Sequence, residues 1–155
     1  MRRRRALVLG IVVMAALSGC SSAPAVDPVA VQNWLEEQNS LDVPGSLATL
    51  TGPSAPLEAE GEADQSVTVS FDEPVAVASL LFTCFGPETM SAEITLTGAD
   101  ANGTSTSQTQ RTDDLPCDGS TQTLGLTQDA VTEVTASGLS ADAVGAWTFF
   151  VVGKD

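Results

Sequence analysis

Hydrophobic and polar positions change their rhythm several times along this chain of 155 residues. Four arginines, Arg2 to Arg5, precede an uncharged apolar run from Ala6 to Leu17. Residues 21–27, SSAPAVD, are small, polar or proline-bearing and read as a flexible tether. In DPVAVQNWLEEQNS, Val31, Trp34 and Leu35 recur at i, i+3 and i+4, which places them on one helical face. Asp27 suits the cap and Pro28 the first helical position, so a short helix is expected from Pro28. Glu36 and Glu37 sit late in it, where the helix dipole disfavours acids. The stretch from Leu41 to Gln65 is broken by three prolines and three glycines. It reads as loop or as linker wrapping the domain, with room for one short strand near Ser46–Thr51.

From Ser66 the period becomes two. Val67, Val69 and Phe71 alternate with polar residues until Asp72-Glu73-Pro74 breaks the run. Val75 to Phe85 reads as a long strand with Ala76, Ala78, Leu80, Phe82 and Cys84 on one apolar face. FGPET then turns the chain. Ala92, Ile94 and Leu96 form the buried face of the next strand, with Glu93, Thr95 and Thr97 outward. Asn102-Gly103 predicts a type I′ hairpin turn, because both central residues of that turn need positive φ. The returning TSTSQTQRT is polar on both faces and is expected at a sheet edge, where polarity discourages edge-to-edge association. LPCDGS is another turn. Strands follow near Gln122–Leu126 and Val131–Ser137, then GAWTFFVVG. That last strand has Trp147, Phe149 and Val151 on one face and Phe150 and Val152 on the other. It must be central, or covered. Short strands between turn residues predict an all-β fold, an antiparallel β-sandwich of jelly-roll or immunoglobulin-like type. About 110 residues are enough for one such core.

The end of the first apolar run changes the picture. A basic start, a short apolar run and small residues before a break are the parts of a secretory signal peptide. The run is shorter than the roughly 20 residues of a spanning helix. It closes with Leu17-Ser18-Gly19-Cys20. That sequence resembles the lipobox of bacterial lipoproteins, an apolar residue and two small ones before an obligatory cysteine. The resemblance covers only the first 20 or so residues. It implies that Cys20 receives a diacylglyceryl group, becomes the first residue after cleavage and tethers the chain to the outer face of the bacterial cytoplasmic membrane. Two acyl chains suffice for that, at about 0.8 kcal/mol per buried methylene. The expected organisation is a signal peptide over 1–19, a lipidated tether over 20–27, a helix and irregular linker over 28–64, and a β-sandwich domain over 65–155.

Charge then narrows the partners. Beyond Cys20 the only cations are Arg111 and Lys154, against all twenty acids, a net charge of −18. Such a surface repels phosphate backbones, so no nucleic-acid partner is expected. It also repels anionic headgroups, which leaves the anchoring to the lipid. The chain has no histidine and no tyrosine. That removes the commonest general base and every Ser-His-Asp or Cys-His arrangement. It also removes zinc sites built from histidine and cysteine. No catalytic residue, cofactor or metal ligand is nominated. A carboxylate-based hydrolase stays open in principle, but no pair among the twenty acids stands out.

Cys84 and Cys117 remain once Cys20 is lipidated. An oxidising, exported setting predicts a disulfide between them, which would pin the LPCDG turn to the core. The chain-entropy model assigns such a loop roughly 3.5–4 kcal/mol. The alternative, a reactive dithiol, usually needs a close Cys-x-x-Cys. Asp100 with Asn102, and Asp113, Asp114 and Asp118, carry oxygens near glycine. Calcium requires about six to eight oxygens, and turn chemistry accounts for both stretches without it. Asn102-Gly103-Thr104 matches a glycosylation acceptor, a reading that the bacterial lipobox disfavours. Trp147 reads as core. Trp34 is the one aromatic candidate for an exposed contact, but packing of its helical face on the sheet explains it equally well, and the need to cover Phe150 and Val152 predicts that it packs on the β-domain. The expected function is a membrane-anchored envelope lipoprotein with a binding or structural role. The rival is an extracytoplasmic module for a glycan or an envelope protein.

Overall fold

The computed structural model describes residues 26–54, 66–100, 102–140 and 143–154. The expected helix forms as α1, Pro28–Ser40. Asp27 caps it, its carboxylate accepting the Val29 N–H at 2.9 Å, and Pro28 occupies the first turn. Six strands follow: β1 Ser46–Ser54, β2 Val67–Ala99, β3 Ser105–Asp118, β4 Gln122–Leu124, β5 Gln128–Ser140 and β6 Gly145–Gly153. All their pairings are antiparallel.

Hydrogen bonds join the six strands into one open network, and the registers resolve it into two layers. In the first layer, β5 lies between two separate parts of β2. Val134 is opposite both Val69 and Leu96, and Ala136 opposite both Val67 and Ile94. β3 extends this layer beyond the Thr89–Ala99 part of β2. In the second layer, β6 lies between β1 and the Val77–Phe85 part of β2, and β4 pairs with Leu80–Phe82 on the other side. The long β2 therefore belongs to both layers. The result is an antiparallel β-sandwich, as the alternating pattern predicts.

The inner faces meet in one core. The first layer contributes Met90, Ala92, Ile94, Leu96, Val134 and Ala136; the second contributes Leu50, Leu80, Phe82, Cys84, Trp147, Phe149 and Val151. Phe149 packs on Phe82, with centroids 4.9 Å apart, and on Trp147 at 5.7 Å. Trp147 is wholly buried, as expected, and its indole N–H donates to the Pro53 carbonyl at 3.0 Å. Two glycines make room for the ring. A Cβ on Gly52, in β1, would lie 2.6 Å from Trp147 Cζ2, and one on Gly138, in β5, would overlap the five-membered ring.

β6 is central, and both of its faces are buried from Gly145 to Val151. The cover on its outer side is α1, which packs against β6, β1 and β2. Val31 is buried, and Trp34 stacks on Phe85 at 6.0 Å with 17° between the planes. Phe150 is left only 2% exposed. The polar strand β3 pairs only with β2 and forms an edge, as expected.

Four local expectations need correction. The sheet begins before residue 65, because the short strand allowed near Ser46–Thr51 forms, runs to Ser54 and pairs with β6. On the Val75–Phe85 strand Val77 is buried while Ala76 and Ala78 are only half-buried. The register with β6 slips between Val77 and Ser79, and such a bulge moves the buried phase by one residue. FGPET does not make a hairpin. The chain bends at Gly86, φ +116°, and passes from the second layer into the first, since the strands on its two sides have different partners. The hairpin at Asn102-Gly103 exists, with Ala99 opposite Ser105, but it is not type I′. Positive φ occurs at Gly103 and not at Asn102, and the Gly103 N–H donates to the Asp100 carbonyl at 2.9 Å. A turn followed by a left-handed residue is the longer class of hairpin loop.

Gly138→Ala should destabilise the domain by about 1–3 kcal/mol, the usual cost of overpacking a filled core, read as a lower urea midpoint with unchanged slope. Trp34→Ala should also lower that midpoint, by less than the roughly 1.5–3 kcal/mol of a fully buried large side chain, because Trp34 keeps part of its surface in water. An unchanged midpoint for Trp34→Ala would mean that α1 does not cover the sheet in solution.

Candidate functional site

The sequence nominates one covalent attachment point and one pair of linked cysteines. Cys20, with Leu17, Ser18 and Gly19, lies outside the described residues. Cys84 and Cys117 form the expected disulfide, S–S 2.07 Å, across 33 residues of sequence. Cys84 stands on the inner face of the second layer opposite Trp147, and Cys117 lies near the end of β3, one residue before Asp118, which pairs with Phe85. The bond therefore ties the end of β3 to the second-layer part of β2 beside the tryptophan. Cys84 has no exposure and Cys117 is half-buried, which gives the pair the setting of a structural bridge.

The acidic turns are organised by their own backbone. The Asp100 carboxylate accepts the N–H groups of Asn102 and Thr104, each at 2.8 Å. These bonds, led by Thr104, hold its pKa below the ordinary aspartate value. Asp118 accepts the Ser120 N–H at 2.9 Å, and the Ser120 side chain and backbone lower its pKa in the same way. Asp113 is lowered by the Ser91 hydroxyl and then by Arg111, whose Nε lies 3.0 Å away. Lys154 meets Asp129 at 2.6 Å. Both ion pairs are exposed, so neither contributes much. Among the described residues no three acids or cysteines come together as a metal site. The oxygens of Asp100 and Asp118 serve the turns beside them, and those of Asp113 serve Ser91 and Arg111 along the strands.

The two outer faces of the sandwich differ. The second layer hides its face under α1. On the first layer a row of threonines crosses all four strands. Thr135 is opposite both Thr68 and Thr95, and Thr95 is opposite Thr109. Hydroxyl pairs form at 2.9 Å for Thr68–Thr135 and 2.8 Å for Thr95–Thr109. Ser70, Glu133, Thr97 and Ser107 make the next row, and Ser137, Glu93 and Arg111 the row on the other side. Such a face offers hydroxyl donors and acceptors with little apolar area. The outward threonines of single strands are visible in the sequence, but their alignment across strands depends on registers that no local pattern fixes. The buried Ser54 and Thr148 hydroxyls and the Gln128 side-chain carbonyl, none with a hydrogen-bond partner, also escape sequence reading.

No family model matches the chain, and no curated protein or solved structure is similar to it.

Acid should weaken the fold through the locked turns. A carboxylate whose pKa is lowered by folding stabilises the native state above its unfolded pKa, near 3.9, and loses that contribution as pH falls through the lowered value. Asp100→Asn keeps an acceptor oxygen for the turn but cannot titrate. The variant should therefore lose less stability than the parent between neutral pH and pH ~2, measured as urea midpoints at a series of pH values. Parallel curves would remove Asp100 from the acid response.

Proposed function

We propose that this chain is a bacterial envelope lipoprotein, anchored through a diacylglyceryl group on Cys20, that displays the β-sandwich as a binding or structural module. The observation that carries the reading is Leu17-Ser18-Gly19-Cys20 directly after a short uncharged run and four arginines. The Cys84–Cys117 disulfide supports export, because such bonds persist in oxidising compartments. The hydroxyl-lined outer face of the first layer favours a binding role, with a glycan or another polar envelope surface as the ligand class. Hydroxyl arrays recognise such surfaces by hydrogen bonds, without the charge attraction that this acidic chain could not offer to an anionic partner.

The test is acylation in a bacterial host. Labelled fatty acid should enter the wild-type chain, and Cys20→Ser should abolish incorporation and leave the apolar leader uncleaved. Label retained in the substituted protein would remove Cys20 as the acceptor and the anchored reading with it.

A further inference from the structure

We infer that the end of the sandwich where Val26 meets the Gly86 bend rests on the bilayer, with Val29 and Val144 as its apolar contacts and the Asp100 hairpin held away from the lipid. The inference rests on the anchored reading proposed above.

The geometry at this end is close. A Cβ on Gly86 would come within 2.8 Å of the Val144 carbonyl oxygen and 3.4 Å of Val26 Cγ2. Val26 and Val144 thus flank one point of the fold. Val29 follows Val26 by three residues, in the first turn of α1. The large hydrophobic side chains left exposed among the described residues are Val29, Leu41, Leu47 and Val144. Val29 is 63% and Val144 54% exposed, and both belong to this end. Leu41 and Leu47 belong to the other, where α1 stops and β1 begins.

The length of the tether brings this end to the lipid. Six residues lead from Cys20 to Val26, and at no more than ~3.6 Å each they reach about 20 Å. The hairpin tip lies beyond Ala99, ten residues along β2 from Thr89, or about 33 Å at ~3.3 Å per residue. With Cys20 fixed in the membrane, the tether holds Val26 within about 20 Å of the bilayer, so Val29 and Val144 can reach the headgroups. The short tether also keeps their local concentration at the surface high, so that a small apolar contact suffices. Asp27, Glu88 and Asp118 are exposed on the same end. They keep the contact shallow, with the carboxylates in water and the two valines at headgroup level.

The experiment uses the lipoprotein purified from membranes and reconstituted in phosphatidylcholine vesicles that contain a photoactivatable phospholipid. Intact mass first reports whether Cys20 is acylated. After illumination, crosslinks mapped by mass spectrometry should fall on the peptides holding Val29 and Val144 and be absent from the Asp100 hairpin. The double variant Val29→Ser, Val144→Ser should lose those crosslinks while keeping the wild-type melting temperature and the Cys84–Cys117 bond. An acylated chain whose crosslinks stop within residues 20–25, or spread equally to the hairpin, would overturn the docking and leave the anchored reading standing. A chain without the acyl mass would overturn both.

Discussion

Strand β6 carries apolar side chains on both faces, while a two-layer sandwich buries only one face of each sheet. Much of the architecture answers that constraint. Trp147, Phe149 and Val151 turn inward and fill the space between the layers. Phe150 turns outward and would face water if the chain ended with its sheets. The helix α1 is the third layer that prevents this, laying Val31 and Trp34 over the outer side of the second sheet. Its apolar stripe is narrow, because it has only one strand pair to cover. Most of the remaining helix is polar and faces solvent, with Val29 as its exposed apolar exception.

The inner side of β6 makes a second demand, for space. An indole between two β-layers fits only where the neighbouring backbones can approach it. Gly52 and Gly138 supply that approach from opposite layers, where a Cβ on either would collide with the ring. Next to the ring, Cys84 is bonded to Cys117. The tryptophan and its two glycines thus join both sheets at one level, and the disulfide fastens the end of β3 to β2 beside them. β2 joins them a second time by passing through both, with the bend at Gly86. The continuous strand therefore holds the layers at the end where the disulfide fastens β3 to β2, and hydrophobic burial holds the rest.

The sequence was most informative where a period could be counted. Ile94 and Leu96, Phe82 and Cys84, and Trp147 and Phe149 alternate cleanly, and each lies in the core. The two apolar faces of β6 announced both its central place and its need for a cover. Legibility stopped at backbone irregularities. The slip near Val77 moves burial from the alanines to the valine, and nothing in VAVAS marks where the phase changes. Gly52 and Pro53 look like the end of the strand allowed at Ser46–Thr51, yet Pro53 can occupy an edge strand, and Gly52 is needed beside Trp147. The same glycine thus reads as a breaker locally and as a packing requirement in the fold. For the candidate site, the paired cysteines were legible from the oxidising setting that the N-terminal sequence predicts. The threonine row was not, since it exists only after β5 has inserted between two distant parts of β2.

The helix has two roles in the anchored reading, and they constrain each other. It covers Phe150, and it is also the first ordered element after the tether. Any pull on Cys20 reaches the domain through Val26 and Asp27, which caps the helix. A load at that point meets the contact of Val26 with the Gly86 bend and the stacking of Trp34 on Phe85 before it reaches the pairing of β1 with β6. The contact of Val26 with the Gly86 bend shortens the lever, since it fixes the chain to the sandwich one residue before the helix cap. The close approach at Gly86, which no other residue could make at φ +116° without strain, therefore serves the crossing between layers and the contact with Val26 at once.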